Sequence, residues 1–264
     1  MRESAAPPAE LIEALDRARP RLGRFSSVRF FPSVVSTNDV AMGIGVEGAV
    51  VLADEQSAGR GRRGHDWYSP PGSGLYVSVV LAPAKARADP ARAAMLLTIA
   101  VGVALVEGID AATGLHADLK WPNDVYVERR KLAGILAESS GRPTEVVVAG
   151  YGINVGAASY PPALRDRATA IETELGRVVD RYVVLAETLA ALDARYDDLL
   201  EGRFDAILDG WRRRAPTAHG ARVSWSTSTG RATGTTAGVD RDGALLVRVD
   251  NGIERIIAGE LTWL

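Results

Sequence analysis

The sequence contains no cysteine among its 264 residues. Disulfides, thiolate metal sites and cysteine nucleophiles are therefore excluded. The three histidines, His65, His116 and His219, lie far apart and lack the spacing of metal ligands. The formal net charge of −2 does not favour a nucleic-acid partner. The remaining composition, with 47% apolar and 24% charged residues, is typical of a globular protein with a substantial core.

Long hydrophobic segments are also scarce. The first ten residues lack the apolar run of a signal peptide. The longest apolar stretch, between Arg92 and Glu107, is shorter than the ~20 residues that cross a membrane. These features predict a cytoplasmic protein with no membrane partner. Residues 1–24 predict a short amphipathic helix and an Arg/Pro-rich connection, which is too little chain for a helix-turn-helix domain of about three helices.

Lysine is the rarest of the basic residues. Of 31 lysines and arginines, only Lys85, Lys120 and Lys131 are lysines. A codon preference for arginine is sufficient to explain this bias. Lysines that persist despite it can mark positions that need a compact ammonium group rather than a planar guanidinium.

The pattern of apolar residues predicts an α/β protein with two domains after the N-terminal segment. Asp89 and Pro90 begin an almost wholly apolar helix to about residue 112, which we expect to be buried. A second helical region begins near Asp180 and continues to about Trp211. Strands are predicted at residues 28–31, 49–53, 75–81, 117–121, 124–127, 131–138 and 146–155, with the last four forming an antiparallel meander.

The pattern changes after Ala215. Short strands at residues 222–227, 234–239, 244–249 and 253–258, with hairpin turn signals between them, predict a small β-barrel. The expected organisation is an N-terminal extension at residues 1–24, a catalytic domain at 25–215 and a C-terminal barrel at 216–264.

The long loop at residues 57–74 contains the run Gly59-Arg60-Gly61-Arg62-Arg63-Gly64. Alternating glycine and arginine allows backbone N–H groups to approach an anion while guanidinium groups neutralise it. No Gly-Lys-Ser/Thr follows, so the run is not a P-loop. A solvated basic loop explains the run equally well. Trp67 could stack on a purine, although a lone tryptophan more often belongs to a core.

Two further segments carry the motif lysines. In Lys120-Trp121-Pro122-Asn123-Asp124, the lysine could contact phosphate and Asp124 could hold Mg²⁺. A strand that ends in an Asn-Asp turn is the more ordinary interpretation. Lys131 leads directly into an apolar strand in which Gly134 indicates a close backbone approach. A hairpin with a solvated basic turn is the alternative.

Small and neutral residues complete the candidate set. Glycines at 150 and 152 remove the side chains from one strand face, where a flat apolar ligand or the buried helix could pack. Hydrogen-bonding groups near strand ends suit a buried urea-like or amide-like ligand, because an unsatisfied buried polar group costs ~1–3 kcal/mol. These groups belong to Ser36, Thr37, Asn38 and Gln56. Helix capping is the alternative role for Ser36, Thr37 and Asn38.

The order of these motifs resembles the biotin protein ligase family. The resemblance covers roughly residues 26–156 and continues more weakly into the predicted barrel, through Gly-Ala-Leu-Leu-Val at 243–247 and Gly-Glu-Leu at 259–261. It implies a mixed-sheet α/β catalytic domain of the biotin/lipoate ligase type with a small C-terminal SH3-like β-barrel. It also implies ATP, biotin and Mg²⁺ as ligands. Biotin and ATP form biotinyl-5′-AMP and pyrophosphate, and biotin then passes to a lysine of a biotin carboxyl carrier protein domain of acyl-CoA carboxylases.

The resemblance assigns roles to individual positions. Lys131 and Arg62 are the expected catalytic pair, and Asp124, on the nucleotide side, is the candidate magnesium ligand. The biotin site comprises Ser36, Thr37, Asn38, Gln56, Arg60, Gly61, Arg62, Lys131 and Gly134. The ATP site comprises Arg62, Trp67, Lys120, Asn123, Asp124 and Asn154.

The sequence departs from the family pattern at His65, where a basic Arg or Lys usually stands, which predicts a weaker or pH-sensitive grip on phosphate. The DNA-binding domain of repressor members does not fit here, so no operator binding is expected. Alternatives are a lipoate or octanoate protein ligase of similar fold and a non-enzymatic biotin-binding module. The oligomeric state is left open between a monomer and a weak homodimer.

Overall fold

The computed structural model describes residues 4–139, 146–157, 160–227, 230–257, 259 and 261–264, and it has the predicted mixed α/β fold. One seven-stranded sheet has the order β1-β2-β3-β7-β6-β5-β4. The pair β1–β2 is parallel and all other neighbouring pairs are antiparallel, which confirms the meander from β4 to β7. The strands are β1 (Val28–Val34), β2 (Val50–Gln56), β3 (Gly74–Leu81), β4 (Asp118–Lys120), β5 (Asp124–Val127), β6 (Arg130–Ser139) and β7 (Val147–Asn154).

Six α-helices are present in the described ranges. The helical region expected from residue 180 to 211 is two helices, because Gly202 adopts a left-handed φ of 76° between them. A short helix near residue 171 was not predicted. The helices are α1 (Ala9–Ala18), α2 (Thr37–Ile44), α3 (Pro90–Thr113), α4 (Ile171–Leu175), α5 (Arg181–Leu200) and α6 (Phe204–Arg214).

The apolar helix α3 is the centre of the core. The Asp89 side chain caps it by accepting a hydrogen bond from the backbone N–H of Arg92, as the sequence predicts. Its 24 residues are long and apolar enough to cross a membrane, which corrects the expectation based on the apolar stretch alone. However, 72% of its most apolar window is buried inside the protein, where α5, α6 and the sheet pack on it. A helix that is apolar on all sides and covered in this way is a core helix.

The N-terminal residues pack against this same core. Leu11 and Ala14 of α1 are buried, as are Leu22 and Phe25 in the short turns that follow. Arg24 pairs with two carboxylates of α5. The proposed extension at residues 1–24 therefore covers the main core, and its status as a separate unit stays a prediction.

The C-terminal strands form a second sheet with the order β11-β10-β9-β8-β12. Its first four strands confirm the predicted ones, and β12 was not predicted. Ala258, placed in the predicted last strand, and Glu260 of the Gly-Glu-Leu motif lie outside the described residues. Closure into an SH3-like barrel stays a prediction. The strands are β8 (His219–Thr227), β9 (Gly230–Val239), β10 (Leu245–Val249), β11 (Gly252–Ile256) and β12 (Leu261–Trp263).

The two sheets are joined at the Lys-Trp-Pro-Asn-Asp segment. The buried Trp121 donates a hydrogen bond of 2.9 Å from its indole nitrogen to the carbonyl of Gly243. Gly243 lies between β9 and β10 with a left-handed φ of 83°, and a Cβ there would crowd Ile99 of α3. A close packing contact thus connects the C-terminal sheet with the segment after β4 that contains Asn123.

Candidate active site

A pocket over β6 and β7 gathers most of the residues that the motifs predict. The beginning of α2, the end of β2, the Gly-Arg loop and the start of β6 converge on it. The sequence-predicted residues in its lining are Ser36, Thr37, Asn38, Gln56, Arg60, Gly61, Arg62, Trp67, Asn123, Lys131 and Gly134.

One end of the pocket consists of neutral hydrogen-bonding groups. The side-chain Oε1 of Gln56 accepts hydrogen bonds from the Thr37 backbone N–H at 2.9 Å and from the Thr37 hydroxyl at 3.1 Å. Ser36 occupies the N-cap position of α2, but within the described residues its hydroxyl makes no capping bond. Thr37 and Asn38 are buried. These polar side chains face the pocket network rather than cap the helix.

Ser78 belongs to the same network, and sequence reasoning missed it. This fully buried hydroxyl on β3 lies 2.7 Å from Thr37 Oγ1 and 2.6 Å from Asn38 Oδ1, and its single proton can be donated to only one of them at a time. Its register partner on β7 is Gly150, where a Cβ would overlap the Asn38 amide. The available signal was one hydroxyl residue in an otherwise apolar strand.

The Gly-Arg loop is folded as a tight turn rather than extended into solvent. Gly61 N donates to the His65 carbonyl at 2.6 Å, and Trp67 N donates to the Gly59 carbonyl at 2.8 Å. The side chain of His65 is exposed. Arg63 adopts a left-handed φ of 57° at the tip. The backbone hydrogen bonds therefore close the loop on itself beside the pocket.

Arg60 anchors this loop to the domain. Its guanidinium donates to both carboxylate oxygens of Asp39, at 2.6 and 2.9 Å, and to Glu138 at 3.2 Å. These hydrogen bonds hold the pKa of Asp39 below its ordinary value and raise that of Arg60. Glu138 was not singled out from the sequence. The positive charge of Arg60 is thus paired with carboxylates of the protein itself.

Arg62 extends to the opposite side of the pocket and is held there by Asn123. Its Nη1 donates to the side-chain Oδ1 of Asn123 at 3.1 Å. Asn123 in turn is bound to β6, because its amide nitrogen donates to the Ile135 carbonyl at 2.8 Å. The predicted nucleotide-side asparagine therefore fixes the orientation of a predicted catalytic arginine.

Lys131 lies at the same cationic end. Its ammonium is 2.6 Å from Asp124 Oδ1 and 5.3 Å from the centre of the Trp67 ring. The backbone is fixed by bonds to residues 167 and 169. The side chain is 31% exposed, so it is half-buried beside the pocket rather than in a solvated turn.

The glycines of β6 and β7 create the floor of the pocket. A Cβ on Gly152 would overlap the Trp67 indole, and one on Gly134 would lie 3.0 Å from the same ring and from Lys131 Cε. Trp67 is half-buried on this floor. The glycine face is therefore occupied by the Trp67 side chain and by Asn38 of α2, and not by the buried helix α3.

Three predicted ATP-site residues lie outside the pocket lining. One is Asp124, whose carboxylate pairs with Lys131 at its edge. The Lys120 ammonium is 4.8 Å from the Tyr126 ring centre and 5.2 Å from that of Trp263, which places it at the junction with the C-terminal sheet. The Asn154 amide nitrogen donates to the Thr169 carbonyl at 3.0 Å, behind Lys131. Their roles towards ATP stay predictions.

The described part of the protein offers few side chains that could coordinate a metal ion. Across the part of the chain that the structure describes, no group of three or more His, Asp or Glu side chains could hold a metal ion. Asp124 is a single carboxylate, already paired with Lys131. One carboxylate together with substrate phosphates is nevertheless a common arrangement for Mg²⁺.

The pocket has a definite chemical polarity. Neutral hydrogen-bonding groups line one end, the Trp67 indole lies on the glycine floor, and Arg62 and Lys131 supply positive charge at the other end. Such a pocket suits a ligand with an uncharged polar head, an apolar body and an anionic terminus.

The chain is similar to known proteins that act on ligands of this kind. Residues 30–154 match the Biotin/lipoate A/B protein ligase family, and residues 219–261 match the biotin protein ligase C-terminal domain. The chain is 36% identical over 237 residues to the biotin--[acetyl-CoA-carboxylase] ligase of Paracoccus denitrificans, covering 86% of this chain and 96% of the relative. The chain belongs to the biotin protein ligase family. It is also 35% identical over 219 residues to the bifunctional ligase/repressor BirA of Bacillus spizizenii, covering 81% of this chain and only 66% of that longer relative.

A solved structure extends the likeness to three dimensions. The biotin protein ligase from Aquifex aeolicus in complex with biotin and ATP superposes with a TM-score of 0.80 at 29% identity. The match covers 91% of this chain and 99% of that chain. The biotin protein ligase fold therefore includes both the seven-stranded sheet and the C-terminal sheet.

Proposed function

We propose that this chain activates biotin with ATP to give biotinyl-5′-AMP and pyrophosphate, and then transfers biotin to a lysine of an acceptor protein. The observation that carries this proposal is the pocket with neutral groups at one end and the Arg62–Lys131 cations at the other, over a glycine floor. The relative from Paracoccus denitrificans and the Aquifex aeolicus complex with biotin and ATP support the same substrates.

The shape of biotin agrees with this polarity. Its uncharged ureido ring offers a carbonyl and two N–H groups to the end formed by Thr37, Asn38 and Gln56. Its apolar body lies against the Trp67 indole that covers Gly134 and Gly152, and its carboxylate reaches Lys131. A site built to satisfy such hydrogen bonds rejects analogues that lack them, because its own buried polar groups would be left unpaired.

The first chemical step needs no nucleophilic side chain. A carboxylate oxygen of biotin attacks the α-phosphorus of ATP, and the bond to pyrophosphate breaks. Negative charge then concentrates on the phosphate oxygens between Lys131 and Arg62. Cations fixed where such charge develops are the main catalytic device of phosphoryl chemistry. Asp124 and Asn123 hold the two cations in place.

In the second step a neutral lysine amine of the acceptor attacks the acyl carbon, AMP departs, and the amine loses a proton. We propose the biotin carboxyl carrier domain of an acyl-CoA carboxylase as the acceptor, which the relative acting on acetyl-CoA carboxylase supports. A cytoplasmic location belongs to the same proposal. Mg²⁺ would arrive with ATP, neutralise phosphate charge, and have Asp124 as its candidate protein ligand.

ATP–pyrophosphate exchange with biotin, lipoate and octanoate in turn tests the proposal. We expect exchange with biotin and little with the others, because lipoate and octanoate have no hydrogen-bonding head for Thr37 and Gln56. Transfer of labelled biotin to a carrier domain would complete the reaction. A protein that binds biotin but never releases pyrophosphate would contradict the ligase proposal in favour of a binding module, and preferential exchange with lipoate would favour a lipoate ligase.

Replacing Arg62 by glycine should loosen retention of the adenylate. The guanidinium bound to Asn123 contributes charge-assisted contacts, and without it biotinyl-5′-AMP should escape and label bystander lysines. Labelling of albumin added as a bystander, compared with the carrier domain, measures the escape. The matched control is Arg63→Gly, since Arg63 is exposed and its left-handed φ suits glycine. Labelling confined to the carrier in the Arg62 variant would refute this role.

A further inference from the structure

We propose that Glu138 is a positioning residue that joins the neutral end of the pocket to the Gly-Arg loop. A single carboxylate holds both the Asn38 amide and the Arg60 guanidinium. This inference rests on the proposed function, because it assigns Glu138 to the binding of biotin and the retention of its adenylate.

The geometry places Glu138 where two parts of the site meet. Alternate residues of a strand share one face, so Glu138 lies on the same face of β6 as Gly134 and Leu136. Its Oε2 accepts a hydrogen bond of 2.6 Å from the Asn38 amide nitrogen and one of 3.2 Å from Arg60 Nη2. The same oxygen therefore contacts α2 and the loop.

The contact with Glu138 determines which way the Asn38 amide points. A carboxylate only accepts hydrogen bonds, so the amide nitrogen must face Glu138. The amide oxygen is then directed to the Ser78 hydroxyl, 2.6 Å away. Replacing the carboxylate would leave the amide nitrogen with its longer bond to the Leu136 carbonyl, at 3.4 Å. The amide would then be held less firmly, and a ligand at this end would meet a less uniform orientation of donor and acceptor.

The same contact ties the loop to the strand. Arg60 bridges Asp39 on α2 and Glu138 on β6, while Asp39 contacts the guanidinium without contacting the Asn38 amide. Opening the loop withdraws the cation from Glu138 and leaves the carboxylate with Asn38 as its partner. Biotin binding and loop closure thus depend on a common anion.

Three variants separate these effects. Glu138→Ala removes both contacts, Glu138→Gln keeps one acceptor oxygen but no charge, and Asp39→Asn weakens only the loop contact. We would measure biotin affinity by calorimetry without ATP, trypsin cleavage within residues 59–67 of the ligand-free protein, and kcat and KM for ATP–pyrophosphate exchange. Thermal unfolding checks that each variant is folded.

We expect Glu138→Ala to weaken biotin binding by about ten-fold and to raise the KM for biotin in proportion, with a smaller change in kcat. Cleavage of its loop should be faster. Glu138→Gln should fall between this variant and the native protein. Asp39→Asn should speed cleavage while biotin affinity stays close to that of the native protein.

Native biotin affinity in both Glu138 variants would overturn the inference while leaving the proposed function intact. So would unchanged cleavage of the loop in Glu138→Ala. If the native protein bound no biotin, the proposed function would fail, and with it the assignment of Glu138 to biotin. The cleavage rates would then still show whether Glu138 holds the loop.

Discussion

The Lys131→Gln variant should lose nearly all ATP–pyrophosphate exchange with biotin while remaining folded. Lys131 is the half-buried ammonium at the cationic end of the pocket, 2.6 Å from Asp124. Removing one group that stabilises developing charge costs roughly a hundred- to a thousand-fold in rate. Glutamine keeps the polarity of the side chain, is one atom shorter and carries no charge, so the loss reports mainly on charge. Exchange kinetics at saturating biotin and ATP are the measurement.

Two controls make this result specific. Lys85→Gln removes an exposed lysine that pairs with Glu47 away from the pocket, and its exchange activity should match the native protein. Lys131→Gln also removes the cation that pairs with Asp124. The unpaired Asp124 carboxylate would then repel phosphate. The double variant with Asp124→Asn removes that repulsion. Activity restored in the double variant would show that repulsion, and not the missing cation, caused the loss.

The Gly152→Ala variant, which adds a single methyl group to the pocket floor, should lose most of its exchange activity. The added Cβ would overlap the Trp67 indole. The strand cannot move aside, because Gly152 pairs with Tyr76 of β3 on one side and with Gly134 of β6 on the other. The indole and its loop must move instead. Misplacement by about 1 Å can cost roughly a hundred-fold in rate, so we expect a loss of this size in exchange.

The matched control is Gly43→Ala in α2, where an added Cβ meets no atom within 4 Å. Alanine is the better helix residue by ~1 kcal/mol, so this variant should be at least as stable and fully active. Because Trp67 is only half-buried, Gly152→Ala should keep most of its thermal stability. Normal exchange by Gly152→Ala would show that the indole need not lie on the glycine floor during the reaction.

The site could be predicted only in part, because neighbouring residues of one motif have different roles in the structure. Of the Lys-Trp-Pro-Asn-Asp residues, Trp121 binds the C-terminal sheet, whereas Asn123 holds Arg62. Their spacing in the chain gives no indication of this division. Ser78 lies in no motif, and Glu138 stands at the end of the Lys131 segment with no role predicted for it. Their importance follows from contacts with residues about 40 and 100 positions away.

The sequence by itself determined the features that depend on local chemistry. The apolar period and the Asp89 cap specify α3, alternation and turn residues specify most strands, and the ordered motifs specify the family. Only the tertiary structure decided which polar groups meet. It paired Lys131 with Asp124, placed Lys120 beside Trp263 of the C-terminal sheet, and brought Glu138 to both Asn38 and Arg60. These partners lie on different strands, loops and helices, and packing of the whole chain determines their distances.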